Sequence, residues 1–335
     1  MNGFQNLLDP AILFFIFGIV AGLLRSNLEI PQAIARFLSL YLLMSIGLKG
    51  GFSLAKSGLG SDVVLALLAA TLLSVLVPAL GFLFLRRKLD NFSAAAVAAT
   101  YGSVSATTFI AATQYLALQG MDFGGHMSVA LVLMESPAIL MAMALAAWAR
   151  RQPQSGIQAG APAVPAATRP AGSPTFGQVV HEAFTDGSHL LLIGSLVIGA
   201  LTGEHGKVMM EPFSGALFKG MLAIFLLDMG LLVARQLPAL RQVPAGLLGY
   251  AIIGPLVHAG LAIGLGWLMN LPAGDVALLA VLAASSSYIV VPAVLRQAIP
   301  EAPPALYLGM SLGVTFVFNI LVGIPLYTWV VQLLW

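Results

Sequence analysis

The sequence predicts an all-α polytopic membrane protein of ten transmembrane helices, laid out as two inverted five-helix repeats with one broken helix in each. Three observations lead there. The chain is 59% hydrophobic and 8% charged, with mean hydropathy +0.96, whereas a soluble chain carries about a quarter charged residues. Its apolar stretches recur at the length that crosses a bilayer. Two serine-rich interruptions lie 182 positions apart inside such stretches, one in each half.

Taken in order, the predicted spans are 10–24, 31–49, 62–85, 92–118, 127–149, 188–203, 212–234, 244–269, 274–297 and 303–333. Segments 10–24 and 188–203 fall short of the roughly twenty residues a span needs, so each is expected to tilt little or to end at the interface. The stretch Met1–Pro10 lacks the basic region of a cleavable signal, so the first segment is expected to stay as a permanent helix. Residues 150–187 are rich in Pro, Ala, Gly, Gln and Ser and read as a mobile linker, with a short interfacial helix expected at Phe176–Phe184. The domain reading is therefore a first repeat over 1–149, a linker over 150–187 and a second repeat over 188–335.

The halves echo each other. Gly18 and Gly22 correspond to Gly199 and Gly203 at an offset of 181, and Met44–Leu48 to Leu227–Leu231 at 183. Ser103 and Ser105 correspond to Ser285 and Ser287 at 182. Five spans per half is odd, so the second half enters the membrane from the opposite side. Eleven basic residues between Arg25 and Arg296 fall in the odd-to-even connections, against Lys49, Lys56, Lys207 and Lys219 on the other side. By the positive-inside rule the linker is cytoplasmic and both termini are outside.

Composition also excludes function classes. A net charge of +2 with scattered basic groups gives no nucleic-acid surface, and the lack of cysteine removes disulfides and thiolate metal sites. The chain has no phosphate-binding loop, zinc-type histidine cluster or Ser/His/Asp arrangement, so no enzyme is expected. Active transport then draws on an ion gradient.

The residues that can carry chemistry lie at the interruptions. Serine runs and proline loosen a helix, which lipid tolerates only where the freed groups face protein or a water-filled cavity. Ser103, Ser105, Thr107 and Thr108 in the first half, and Ser285, Ser286 and Ser287 in the second, supply hydroxyls. Freed amides at a half-helix N-terminus suit a small anion, and freed carbonyls suit sodium. The plainer reading is that small residues let helices cross closely and hydroxyls bond back to their own helix. Glu135 and Asp228 are carboxylates inside apolar segments, read either as cation or proton sites or as packed acids hydrogen-bonded to a neighbour. Pro137 is expected to open the helix beside Glu135. His258 is read as a proton relay or as a structural histidine bonded to a carbonyl. Asn319 falls near the repeat position of Glu135 and offers an oxygen ligand or a helix–helix bond. The glycines at 18, 22, 199 and 203 are read as packing devices.

In combination, Gly102-Ser103-Val104-Ser105, Met134-Glu135-Ser136-Pro137-Ala138, Pro255-Leu256-Val257-His258-Ala259-Gly260 and Ala283-Ala284-Ser285-Ser286-Ser287 resemble the sodium-dependent bicarbonate transporter family of the SbtA type, known from cyanobacteria. Leu295–Pro300 fits its continuation. The resemblance implies two crossing broken helices in a core domain, a gate domain, a homotrimer, and sodium and bicarbonate held between the broken helices. By motif it places Gly102, Ser103, Ser105, Ser285, Ser286 and Ser287 along the site, with Tyr288 next to the triplet. Sodium, the coupling ion, would meet Glu135, Ser105 and Ser287, with Thr107, Thr108, Asn319 and Asp228 as further cation candidates. No other cofactor is implied. Two residues depart from the family pattern, which has Asp at the positions of Tyr288 and Glu135. Some members are regulated by a PII-like signalling protein, and the central linker here is shorter than their cytoplasmic region. Two other functions are open: a carboxylate carrier, proton-coupled through Glu135 and His258 and favoured by Tyr288, and a non-transporting membrane sensor or scaffold.

Overall fold

A computed structural model describes residues 9–58, 60–151 and 187–335. The Phe176–Phe184 helix and most of the linker expected above lie outside these residues. Among the described residues every regular element is helical. In the first half these are α1 (Pro10–Leu23), α2 (Gln32–Ser57), α3 (Ser61–Leu85), α4 (Asn91–Gly102), α5 (Ala106–Leu118) and α6 (Met127–Arg151). The second half has α7 (Gly187–Met210), α8 (Leu217–Gln236), α9 (Ala245–Leu268), α10 (Ala273–Ala284) and α11 (Val290–Ala298). It closes with α12 (Pro304–Leu308) and α13 (Ile324–Leu334), joined through π-helical turns at Gly309–Phe316 and Asn319–Gly323.

Local chemistry explains the ends. Asp9 accepts from the Ala11 amide at 2.8 Å with Pro10 in the first turn, a helix start that needs no further donor. Asp90 caps α4 through the Phe92 and Ser93 amides at 3.0 and 2.9 Å. Pro78, Pro137 and Pro255 lie inside α3, α6 and α9 without ending them, so the opening expected at Pro137 does not break α6. α7 runs beyond the expected 188–203 to Met210, because the helix resumes after Gly203, whose φ of 54° makes a kink that only glycine adopts easily. The charged turn Glu204–Lys207 after the kink ended the apolar pattern but not the helix. Gly203 is thus a hinge in the backbone rather than a packing glycine.

Among the described residues six helical stretches are long and apolar enough to cross a membrane by length and composition, with Pro10–Leu23 and Ala273–Ala284 as shorter apolar helices. Large apolar side chains lie bare along their outer faces, Leu24, Leu201 and Leu268 among them at 76%, 82% and 75% exposure. Soluble monomers rarely expose so many large apolar side chains, which suit a lipid-facing surface.

Packing exchanges the first two helices of each half. α1 lies along α8 and α2 along α7. Both pairs meet at glycines whose missing side chains allow backbone contact. A Cβ on Gly18 would fall 2.3 Å from the Leu227 carbonyl oxygen and 3.1 Å from the Gly230 Cα. One on Gly51 would fall 2.1 Å from the Leu196 oxygen, and one on Gly199 3.1 Å from the Gly51 Cα. The remaining helices form a second group in which α3 packs on α4 and α6, and α9 on α10. α4 and α10 are alanine-rich and buried on all sides, each along nearly its whole length. A helix apolar all round belongs in an interior, so the chain stops inside the protein at Gly102 and again at Ala284.

The other end of this group is tied down by Asp275. Its carboxylate accepts from the Gly124 amide at 2.6 Å and stands 3.2 Å from His126 Nε2, an ion-pair distance without hydrogen-bond geometry.

Candidate functional site

The two interruptions meet. Ser287 donates its amide to the Thr100 carbonyl at 2.9 Å, and Ser105 donates its amide to Ser285 Oγ at 3.0 Å. Ser285 Oγ in turn donates to the Leu282 carbonyl at 2.8 Å, closing α10. Each break ties the other, which satisfies backbone groups that lipid could not.

Beyond the crossing, α5 restarts behind the N-cap Ser105, and α11 restarts with a first-turn amide bonded back to Ser287. Ser105 Oγ accepts from the Thr108 amide at 3.2 Å and from Thr108 Oγ1 at 3.0 Å. Ser287 Oγ accepts from the Val291 amide at 3.2 Å. The N-termini of α5 and α11 therefore face one cavity of about 100 Å³, lined by Val104–Thr107 from one side and Ser287–Val290 from the other. Glu135, Ser39, Ser188 and His189 complete its polar wall. The first-turn amides of both helices lack intrahelical acceptors, and the two dipoles place partial positive charge there.

The sequence candidates separate by position. Ser105, Thr107, Ser287, Tyr288 and Glu135 line the cavity. Tyr288 donates its hydroxyl to Thr107 Oγ1 at 2.5 Å and packs edge-on against Phe316. The other candidates stand behind the cavity or beside it. Gly102 is the glycine that lets Pro78 approach, since a Cβ there would meet its ring at 2.5 Å. Ser103 is buried, and among the described residues its hydroxyl has no hydrogen-bond partner. Ser286 Oγ meets Ser311 Oγ at 2.9 Å, and Ser311 donates to the Ser287 carbonyl at 2.9 Å. Asp228 is half-buried on α8, near enough for its charge to act on the Tyr288 hydroxyl. The serine triplet is thus divided: one residue bolts the crossing, one anchors to the last span, one faces the cavity.

Asn319 closes the end of α10. Its amide donates to the Ala284 carbonyl at 2.8 Å and its oxygen accepts from the Tyr327 hydroxyl at 3.0 Å. Replacing Asn319 with leucine strands both buried partners, at a cost of about 1–3 kcal/mol each. The expected result is a clear fall in the melting temperature of the detergent-solubilised protein; an unchanged melt would remove this structural role. His258 is buried and edge-on to Tyr250, and it does not line the cavity.

His189 was invisible in the sequence. It hydrogen-bonds through Nε2 to Glu135 Oε2, across 54 positions and between α7 and α6. The only signal was a polar Ser188-His189 pair at the mouth of an apolar segment, which reads as a linker end. Among the described residues no three His, Cys, Asp or Glu side chains cluster as a metal site.

Interrupted helices that turn two helix N-termini onto a buried polar cavity, in a chain with helices fit to cross a membrane repeatedly, define a multi-pass membrane protein of transporter type. The chain belongs to the Na+-dependent bicarbonate transporter superfamily, which it matches over residues 10–332. No curated protein matches it. Membership in a family of transporters implies that the chain is not an enzyme.

Proposed function

We propose that the chain is a secondary transporter that carries bicarbonate together with sodium across the bacterial inner membrane. The observation that carries this reading is the convergence of the α5 and α11 N-termini on one cavity that also holds a buried carboxylate. An anion sits against the helix N-termini and the hydroxyls of Ser105, Thr107 and Ser287. Sodium, a hard cation that prefers oxygen, takes hydroxyl and carbonyl oxygens of the crossing and Glu135 Oε1, since Oε2 is engaged by His189. The orphaned Ser103 hydroxyl supports an oxygen donor set with spare capacity at the break. Bound together, the two ions cancel most of each other's charge in a dry site.

The chain crosses the membrane ten times as two inverted repeats, 1–149 and 188–335, and assembles as a homotrimer, with the linker cytoplasmic and both termini outside. The exchange of α1 with α8 and α2 with α7 supports the repeat, because a two-fold relation between halves turns the one pair into the other. Helices α1, α2, α7 and α8 form the gate, and the group around α4 and α10 moves against it.

Cavity size favours a small anion over a larger carboxylate. About 100 Å³ holds a few waters or one compact ion pair, and Tyr288 spends its hydroxyl on Thr107. In proteoliposomes, labelled bicarbonate is expected to accumulate only with an inward sodium gradient. Flux of a carboxylate that follows pH and ignores sodium would select the proton-coupled carrier, and ligand binding without flux the sensor.

A further inference from the structure

We propose that the Tyr288 ring is the size filter of the cavity: it fills the space beside the two half-helix N-termini, admitting bicarbonate and excluding carboxylates of the size of propionate and above. The identity of the admitted anion rests on the transport reading above; the shape of the wall does not.

Tyr288 lies in the break itself, between the end of α10 and the start of α11, and it is only 8% exposed although it lines the cavity. Contacts from three other elements hold it there. Its hydroxyl donates to Thr107 Oγ1 in the first turn of α5 at 2.5 Å, so the phenol spans from one half-helix N-terminus to the other. The same oxygen lies 3.9 Å from Met229 Sδ on α8. Phe316 packs edge-on against the ring with centroids 5.5 Å apart, and Phe15 of α1 packs edge-on against Phe316 at 5.6 Å. Met229, Phe316 and Phe15 are all buried. A ring swung out of the cavity wall has to enter this layer, and close-packed interiors hold no such space.

The hydroxyl is a brace rather than a ligand. A phenol has one hydrogen to donate, and here it goes to Thr107. Thr107 Oγ1 accepts it and keeps its own hydrogen for an anion at the helix N-terminus. Tyr288 therefore meets the ligand with ring carbons, and an apolar wall selects by size. One methylene too many in a closed pocket costs about 10- to 200-fold. This reverses the sequence expectation, in which the aromatic hydroxyl favours a carboxylate carrier. Tyr288 is also the largest side chain lining the cavity, so truncating it to alanine opens a space of the same order as the cavity itself.

The test compares two anions. Uptake of labelled bicarbonate and of labelled propionate into proteoliposomes is measured under one inward sodium gradient, and the melting temperature of the detergent-solubilised protein is followed with each anion. Wild type is expected to prefer bicarbonate by about tenfold or more. Tyr288→Ala is expected to raise the propionate-to-bicarbonate ratio by about 10- to 200-fold, and Tyr288→Leu by less. Propionate is expected to raise the melting temperature of Tyr288→Ala and not that of wild type. Tyr288→Phe keeps the ring, so it is expected to keep the wild-type ratio while bicarbonate uptake falls by about 2- to 10-fold with the lost brace. A ratio between two anions does not move when a residue only supports the fold. Wild type that takes up both anions alike, an unchanged ratio in the folded truncations, or propionate that stabilises none of the proteins overturns the proposal. A fall well beyond about tenfold in Tyr288→Phe also overturns it, because the hydroxyl is then a ligand. If neither truncation folds, that Tyr288→Phe result decides. Propionate that stabilises Tyr288→Ala alone, in protein that takes up no bicarbonate, rejects the transport reading and keeps the size filter.

Discussion

Replacing Ser287 with alanine is expected to lower sodium-driven bicarbonate uptake by about 10- to 100-fold. The side chain holds two roles at one point. Its Oγ accepts from the Val291 amide in the first turn of α11 at 3.2 Å and faces the cavity. The lost hydrogen bond to the Val291 amide costs about 1 kcal/mol, and one to a charged ligand about 1.5–3 kcal/mol. The backbone bond from the Ser287 amide to the Thr100 carbonyl survives the substitution, so the crossing should hold and the protein should still fold. Ser287→Thr keeps a hydroxyl and is expected to recover most of the uptake. Equal uptake by wild type and Ser287→Ala would sink the assignment of the anion to this cavity. A loss that Ser287→Thr does not recover would point to backbone geometry instead.

The second large effect is on folding. Gly51→Ala places a Cβ 2.1 Å from the Leu196 carbonyl oxygen and 2.6 Å from the Ala200 amide nitrogen. Both are helix backbone and cannot rotate away, so α2 and α7 must separate along their contact. Overpacking of this kind costs about 1–3 kcal/mol or more, and here it strikes a pairing with few polar bonds to compensate. The expected result is a large drop in melting temperature and in yield of detergent-solubilised protein. Gly260→Ala on α9 is the control: nothing lies within 4 Å of its added Cβ, and alanine favours a helix by about 0.5–1 kcal/mol. Similar melts for the two variants would show that the α2–α7 contact tolerates separation.

Much of this architecture was legible because bilayer physics writes itself into sequence. A span needs a run of apolar residues, so hydropathy marked the helices, and their ends fell within a few residues except where α2 runs on past the expected 49 to Ser57 and where Gly203 bent a helix without stopping it. A broken helix needs residues that can satisfy freed backbone groups, so the serine clusters marked both interruptions. Their constant spacing from one half to the other pointed to a shared centre, and the breaks do bond to each other there.

Sequence alone determined the helical class and the places where helices break, while Ser105, Ser287 and Glu135 were grouped only by what the family resemblance implies. Only the tertiary structure decided how that constellation divides. Ser285 and Ser286 have the same chemistry as Ser287, and nothing local says which hydroxyl turns to a neighbouring helix and which to a cavity. That choice is made by the rotation of α11 after the break and by Ser311, which arrives from the last span. His189 was hidden for the same reason. A pair joined across 54 positions depends on how two helix groups dock, and docking is a property of packed surfaces that no single segment carries.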